Sequence, residues 1–346
     1  MSTVSFASDY QEGAQPYILE RMASTNFLKM PGYGTDEICA SARERIRKAC
    51  ACADADVHFL VGGTQTNATV LDALLAAHEG VIAADTGHIS VHEAGAIEAG
   101  GHKVITLPHR LGKVSATQLG DYCDTFFSDL NRDHMVAPGV VYVSQPTEYG
   151  TLYSLSELES IRDVCCKHGL RLYVDGARLA YALGSAQNDV GLPDLARLCD
   201  AFYIGGTKCG ALFGEAVVIP DPQLTPHFFT LTKQHGALLA KGWLLGIQFD
   251  ELFAEDRYLS LGKPAVEAAN RIRAVLVQSG HRLAFVSPTN QVFVVLKDAA
   301  AQCLGNMVEY SFWERYDKDH IVIRLATSWA TTDEQVNQLL SAFSQL

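Results

Sequence analysis

The sequence predicts an α/β fold: a large domain with a mostly parallel sheet flanked by helices, over residues 1–250, and a smaller α+β domain over 251–346. Three observations carry that expectation. Short apolar runs alternate with helix-like stretches through the first two thirds of the chain. Several of those runs are apolar almost throughout, as strands buried on both faces are. Past about residue 250 the pattern changes to one long helix followed by closely spaced short strands. A length of 346 residues is also more than a single core ordinarily supports.

Taken in order, Thr35 is expected to cap a helix whose first turn holds Asp36 and Glu37 and whose later turns hold Arg43, Arg45, Arg47 and Lys48. That is the charge order a helix dipole favours. Strands are expected at 57–61, 81–85, 103–107, 140–144, 170–175, 201–204 and 216–219. A helix over 64–78 follows the first strand and the Gly62-Gly63 pair. Ser154-Leu-Ser-Glu157 matches a capping box, and its helix should stop at Gly169. In the smaller domain a helix over 264–279 ends at Gly280, strands are expected at 283–286, 291–296, 310–313 and 321–326, and a last helix starts near Thr332.

The charge balance narrows the function. With 27 Lys+Arg against 39 Asp+Glu the net charge is −12. A chain so acidic lacks the positive field that nucleic acid or an anionic membrane surface requires. No apolar run approaches a membrane span, and the N-terminus shows no basic stretch followed by an apolar one. The nine cysteines are odd in number and without Cys-x-x-Cys or zinc-finger spacing. Reduced thiols in a cytoplasmic protein are the expectation.

Simple dinucleotide, P-loop, esterase-elbow and zincin motifs are absent. Four segments carry chemistry instead. Gly62-Gly63-Thr64-Gln65-Thr66-Asn67, between strand and helix, offers free backbone N–H groups and hydroxyls to an anion, or else a plain turn capped by Thr64. Val174-Asp175-Gly176-Ala177-Arg178 puts an acid at the carboxyl end of a buried strand, where open sheets bind ligands, or makes Asp175 a helix cap. Tyr203-Ile204-Gly205-Gly206-Thr207-Lys208 sets a lysine among glycines. In a pocket it can form a Schiff base; otherwise it is a surface residue. Finally His88 and His92 are four apart and followed by Glu93, the spacing of a metal pair without a recognisable third ligand, so no metal is assigned. A phosphate cup, an acid for a pyridinium nitrogen, a Schiff-base lysine and a ring-stacking histidine together are the parts pyridoxal 5'-phosphate requires.

With these motifs in this order, the chain resembles the threonine aldolases, in the β-eliminating lyase group of fold-type-I pyridoxal-phosphate enzymes. The likeness starts at Ala7-Ser8-Asp9 and Gly32-Tyr33-Gly34. It runs through the segments above to Ile323-Arg324-Leu325-Ala326-Thr327-Ser328-Trp329-Ala330-Thr331-Thr332. It implies that Lys208 carries the cofactor, Asp175 keeps the pyridine nitrogen protonated, Gly63, Thr64 and Thr207 hold the phosphate, and His88 stacks on the ring. Ser8, Arg178 and Arg324 would grip the substrate carboxylate. A neighbouring subunit would lend Tyr33, and Lys233 or Lys241 would reach a partner's phosphate, in a homodimer or homotetramer. The implied reaction cleaves the Cα–Cβ bond of a β-hydroxy-α-amino acid to glycine and an aldehyde, with His88 or a water it orients as base. Related enzymes that eliminate at Cβ or transfer the amino group are the alternative. One departure stands out: Gln145-Pro146-Thr147-Glu148-Tyr149-Gly150 has Glu148 where familiar members carry a second histidine. That implies a substitute acid–base group or a changed substrate.

Overall fold

The structure is a computed structural model describing residues 4–346. Its main sheet has seven strands in the spatial order Asp56–Leu60, Glu215–Ile219, Ala201–Gly205, Arg171–Asp175, Ala137–Ser144, Glu79–Ala84 and Val104–Leu107. From Ala201–Gly205 to Val104–Leu107 every neighbouring pair is parallel. Glu215–Ile219 runs antiparallel to both its neighbours. The reason is local: only residues 206–214 separate it from Ala201–Gly205, and a parallel return needs a crossover of a dozen residues or more.

The near-continuous apolar character of the strands follows from burial on both faces. Val141, Val143, Leu172 and Val174 enter one core, while Val140, Tyr142 and Tyr173 enter the core on the opposite face. All seven expected runs are strands, each within a few residues of its expected bounds. The Leu155–His168 helix opens on the Ser154/Glu157 capping box and ends at Gly169 in the left-handed conformation. The first long helix, Glu37–Ala49, is capped by Asp36 rather than Thr35: the Asp36 carboxylate accepts the Cys39 N–H, while the Thr35 hydroxyl donates to the Gly32 carbonyl at 3.0 Å. A carboxylate one residue closer to the first turn also meets the positive end of the dipole.

A second, wholly antiparallel sheet has the order Ser311–Arg315, His320–Ala326, Gln291–Lys297, Arg282–Leu283. The expected strand at 283–286 is reduced there to two residues. Position 250, the expected end of the large domain, falls inside the Trp243–Leu252 helix, whose Leu245, Phe249 and Leu252 enter the main core. The packing changes over within the Lys263–Gln278 helix: Ala265 and Val266 join the main core, and Ala269, Ile272 and Leu276 the smaller one. The N-terminus also goes to the smaller part, where Val4–Ser5 pairs with Val308–Glu309 and Phe6 is buried beside Ile323 and Leu325. No helix among the described residues is long and apolar enough to cross a membrane.

Candidate active site

The carboxyl ends of the parallel strands converge on one cavity of about 340 Å³, within the range of a small-ligand site. Seven residues to which the resemblance gives a cofactor or substrate role line it, namely Gly63, Thr64, His88, Asp175, Arg178, Thr207 and Lys208, and so do Gly62 and Glu148. Their placement is topological. Asp175 is the last residue of its strand, Lys208 follows the Ala201–Gly205 strand by three residues, and His88 opens a short helix just beyond Glu79–Ala84.

The Gly63–Leu74 helix starts at the cavity with Gly62 as its cap and no side chain on its first-turn N–H groups. Helix dipole and free donors make that turn an anion cradle. A Cβ on Gly63 would stand 3.3 Å from the Tyr203 hydroxyl and one on Gly62 in open space, so the bare backbone leaves room for a ligand. Thr64 lies inside the helix and is not its cap.

Asp175 is not a helix cap either; the next helix starts at Leu179. Its Oδ2 accepts from the Tyr142 hydroxyl at 2.6 Å and the Asn67 amide at 3.1 Å, and its Oδ1 from the Ala177 N–H at 3.0 Å. Burial by itself would push its pKa up. The nearby His88 and the hydrogen bonds from Tyr142, Tyr203 and Ala177 outweigh it and hold the carboxyl below its usual value. An anionic acid facing a cavity is what a pyridinium N–H requires.

His88 is fixed from behind. Its Nδ1 lies 2.7 Å from Glu93 Oε1, and the same oxygen accepts the Asn67 amide at 2.7 Å. Asn67 therefore bridges the carboxylate that orients His88 and the carboxylate of Asp175, with its own Oδ1 held by the Tyr173 hydroxyl. Glu93 binds His88 directly, and among the described residues no group of three potential metal ligands is assembled.

Lys208 is half-buried and loses its proton more readily than a free lysine. Burial is the main cause and the Arg178 charge adds to it, against the pull of Asp9, Asp175 and Glu215. Thr207 Oγ1 donates to Glu215 Oε1 at 2.9 Å and accepts the Gly214 N–H at 3.0 Å.

Arg178 turns its fork on Asp9, with Nε to Oδ2 at 2.7 Å and Nη2 to Oδ1 at 3.0 Å, so two of its nitrogens are already engaged. Arg324 faces an adjoining cavity with His92, Glu148 and Trp313; its Nη2 donates to the Ala7 carbonyl at 3.2 Å. The buried Arg324 Nε and the buried Ser8 hydroxyl have no hydrogen-bond partner. Unpaired buried donors are costly unless a ligand meets them. Tyr33 is not drawn in: it lines a separate cleft, 45% exposed, with Lys233 Nζ 4.8 Å from its ring centre.

Sequence reasoning gave no role to Asn67, Tyr142, Asp9 or Glu215, and weighed Glu93 only as a metal ligand. Glu215 had a signal, a lone carboxylate heading an apolar strand. The others act as partners of predicted residues, which only the fold reveals.

The sequence matches the β-eliminating lyase family over residues 5–299. The chain belongs to the β-eliminating lyase family. A low specificity L-threonine aldolase of Pseudomonas aeruginosa is 31% identical, over 97% of this chain and 96% of that protein. The structure of a Leishmania major threonine aldolase superposes with a TM-score of 0.95 at 44% identity, covering 99% of both chains. An aspartate aminotransferase from Thermus thermophilus shares the fold alone, at a TM-score of 0.72 and 14% identity over 99% of this chain and 91% of that one. The fold is that of the fold-type-I pyridoxal-phosphate enzymes, and this β-eliminating lyase meets the cofactor's needs: a glycine cradle with no side-chain cap, an anionic acid and a half-buried lysine of lowered pKa on one cavity.

Proposed function

We propose that this protein is a pyridoxal-phosphate-dependent carbon–carbon lyase of the threonine aldolase type, cleaving a β-hydroxy-α-amino acid to glycine and an aldehyde. The observation that carries the reading is the convergence of Lys208, Asp175, His88 and the Gly62-Gly63-Thr64 cradle on one cavity. The kinship with threonine aldolases supports it.

Pyridoxal phosphate supplies an electron-withdrawing ring that takes up the pair released when a bond to Cα breaks. The residues do the rest. Lys208 offers a free amine at Nζ, favoured by burial, to hold the cofactor and exchange with the amino acid. Asp175 keeps the ring nitrogen protonated, and Glu93 fixes the face that His88 presents. Gly63, Thr64 and the hydroxyl of Thr207 hold the phosphate. Arg324, which faces the adjoining cavity, receives the substrate carboxylate together with Ser8. Arg178 serves that grip through the N-terminal segment, since Asp9, next to Ser8, is its partner.

The finer reading is a homodimer or homotetramer in the cytoplasm, with Tyr33 lent to a neighbour's site. The half-exposed Tyr33 beside Lys233 and the nearly bare Phe27 support the first. Nine free cysteines support the second.

The test is the visible spectrum of the purified protein, borohydride trapping with peptide identification, and product analysis with threonine. A chromophore on Lys208 and equal yields of glycine and acetaldehyde are expected. Pyruvate with ammonia, or a keto acid, would overturn the aldolase reading, and a protein that takes up no cofactor would overturn the whole.

A further inference from the structure

Two cavities of about 340 Å³ each adjoin at this site. One holds Lys208, Asp175 and His88; the other holds Arg324, His92, Tyr149 and Trp313. An amino acid joined to the cofactor in the first and gripped by Arg324 must lie across both. Among the described residues Glu148 is the one that lines both cavities. His88 lines only the first, and its Nδ1 is committed to Glu93.

The Glu148 carboxyl is held at one end and free at the other. Oε1 accepts the His88 backbone N–H at 2.9 Å and the Ser144 hydroxyl at 2.8 Å. Oε2 has no partner, yet it is not among the sealed, unpaired atoms, so it opens onto the passage. The residue's main chain is tied to the substrate-side arginine as well: Gln291 donates to the Glu148 carbonyl at 3.5 Å and accepts from Arg324 Nη1 at 3.4 Å.

We propose that Glu148 is the catalytic base that takes the proton from the substrate's β-hydroxyl, through Oε2. The inference rests on the aldolase reading above. The hydroxyl O–H bond breaks as O–H forms on Oε2. The freed oxygen pair becomes the second bond of the aldehyde carbonyl, and the Cα–Cβ pair stays with Cα. One proton leaves the hydroxyl and one later joins Cα to make glycine, so no co-reactant is needed. Burial pushes the Glu148 pKa up and Asp175 adds to it, against its backbone and Ser144 hydrogen bonds and the nearby His88. His92 and Arg324 face it across the second cavity. A base of raised pKa is a stronger acceptor, and it puts the acid limb of the rate profile above the ordinary carboxylate range.

The test compares holoenzyme with Glu148→Gln and Glu148→Asp in two reactions. The first is threonine cleavage across pH. The second is exchange of the glycine α-hydrogen with D2O, followed by NMR, which involves no hydroxyl and bypasses the base. For Glu148→Gln, cleavage is expected to fall by about 100-fold or more, without the wild-type acid limb, while glycine exchange and its spectral change stay within about threefold. Glu148→Asp is expected to recover about tenfold of that loss and to show an acid limb again. Three results would each overturn the proposal: cleavage by Glu148→Gln within about fivefold of wild type, glycine exchange falling in step with cleavage, or Glu148→Asp no better than Glu148→Gln. A wild-type enzyme that exchanges glycine but cleaves no β-hydroxy amino acid overturns the aldolase reading and this proposal together. A cleaving wild type with an indifferent variant overturns the proposal alone.

Discussion

At the scale of single residues the site is a set of buried charges, each held by a neighbour distant in sequence. Glu215 shows how burial sets chemistry. Desolvation pushes its carboxyl from the usual 4.5 to about 8, despite the Thr207 and Gly206 hydrogen bonds and the nearby Lys208 charge. An acid whose pKa is higher folded than unfolded stabilises the fold most when protonated. That contribution is complete below about pH 4.5 and is lost as pH rises through about 8. Glu215→Gln removes the dependence. Its advantage over wild type in urea midpoint is therefore expected to widen from pH 6 to pH 9 and then to level off. Urea titrations of both proteins at those pH values check it.

At the scale of elements, local signals were legible wherever the interaction is local. The Ser154/Glu157 box is a contact between residues three apart, and it formed as expected. Ser154→Ala is expected to lower stability by about 1 kcal/mol with an unchanged urea slope, measured by equilibrium unfolding. The choice between Thr35 and Asp36 was less legible, because adjacent capping residues differ only in which reaches the first turn. Close approaches between elements carry no local signal at all. A Cβ on Gly176 would sit 2.0 Å from the Tyr203 carbonyl, which explains why glycine follows Asp175, but nothing near Gly176 in sequence says so.

Across the whole molecule, residues 7–9 join the two sheets at the site. The Ala7 carbonyl accepts from Arg324 on the smaller sheet, while Asp9 Oδ2 accepts from Arg178 at 2.7 Å and from Asn290 at 2.9 Å. Burial alone would raise the Asp9 pKa; Arg178, Lys208 and Asn290 reverse it, from the usual 3.8 to about 2. The lowered value means stability present above about pH 3.8 and lost as pH falls through about 2, worth about 2 kcal/mol. Asp9→Asn strands the buried Arg178 charge and is expected to cost about 3–5 kcal/mol, with a flatter acid limb of stability. Thermal and acid denaturation of the variant check it. The joint also sets the position of Ser8 between its neighbours, so the same substitution is expected to raise KM for threonine.

The sequence by itself determined the strand–helix alternation, the capping box, and a glycine turn, an acid and a lysine placed just past strand ends. Those rest on periodicity, on contacts within a turn, and on the rule that strand ends of a parallel sheet meet at one edge. Only the tertiary structure decided that Arg178 pairs with Asp9, that Asn67 links Glu93 to Asp175, and that Glu148 stands between two cavities. The physical reason is distance along the chain. Arg178 and Asp9 are 169 positions apart, and Asp175 and Asn67 are 108 apart. Such pairs meet only when the sheet is assembled, and burial then makes each of them strong.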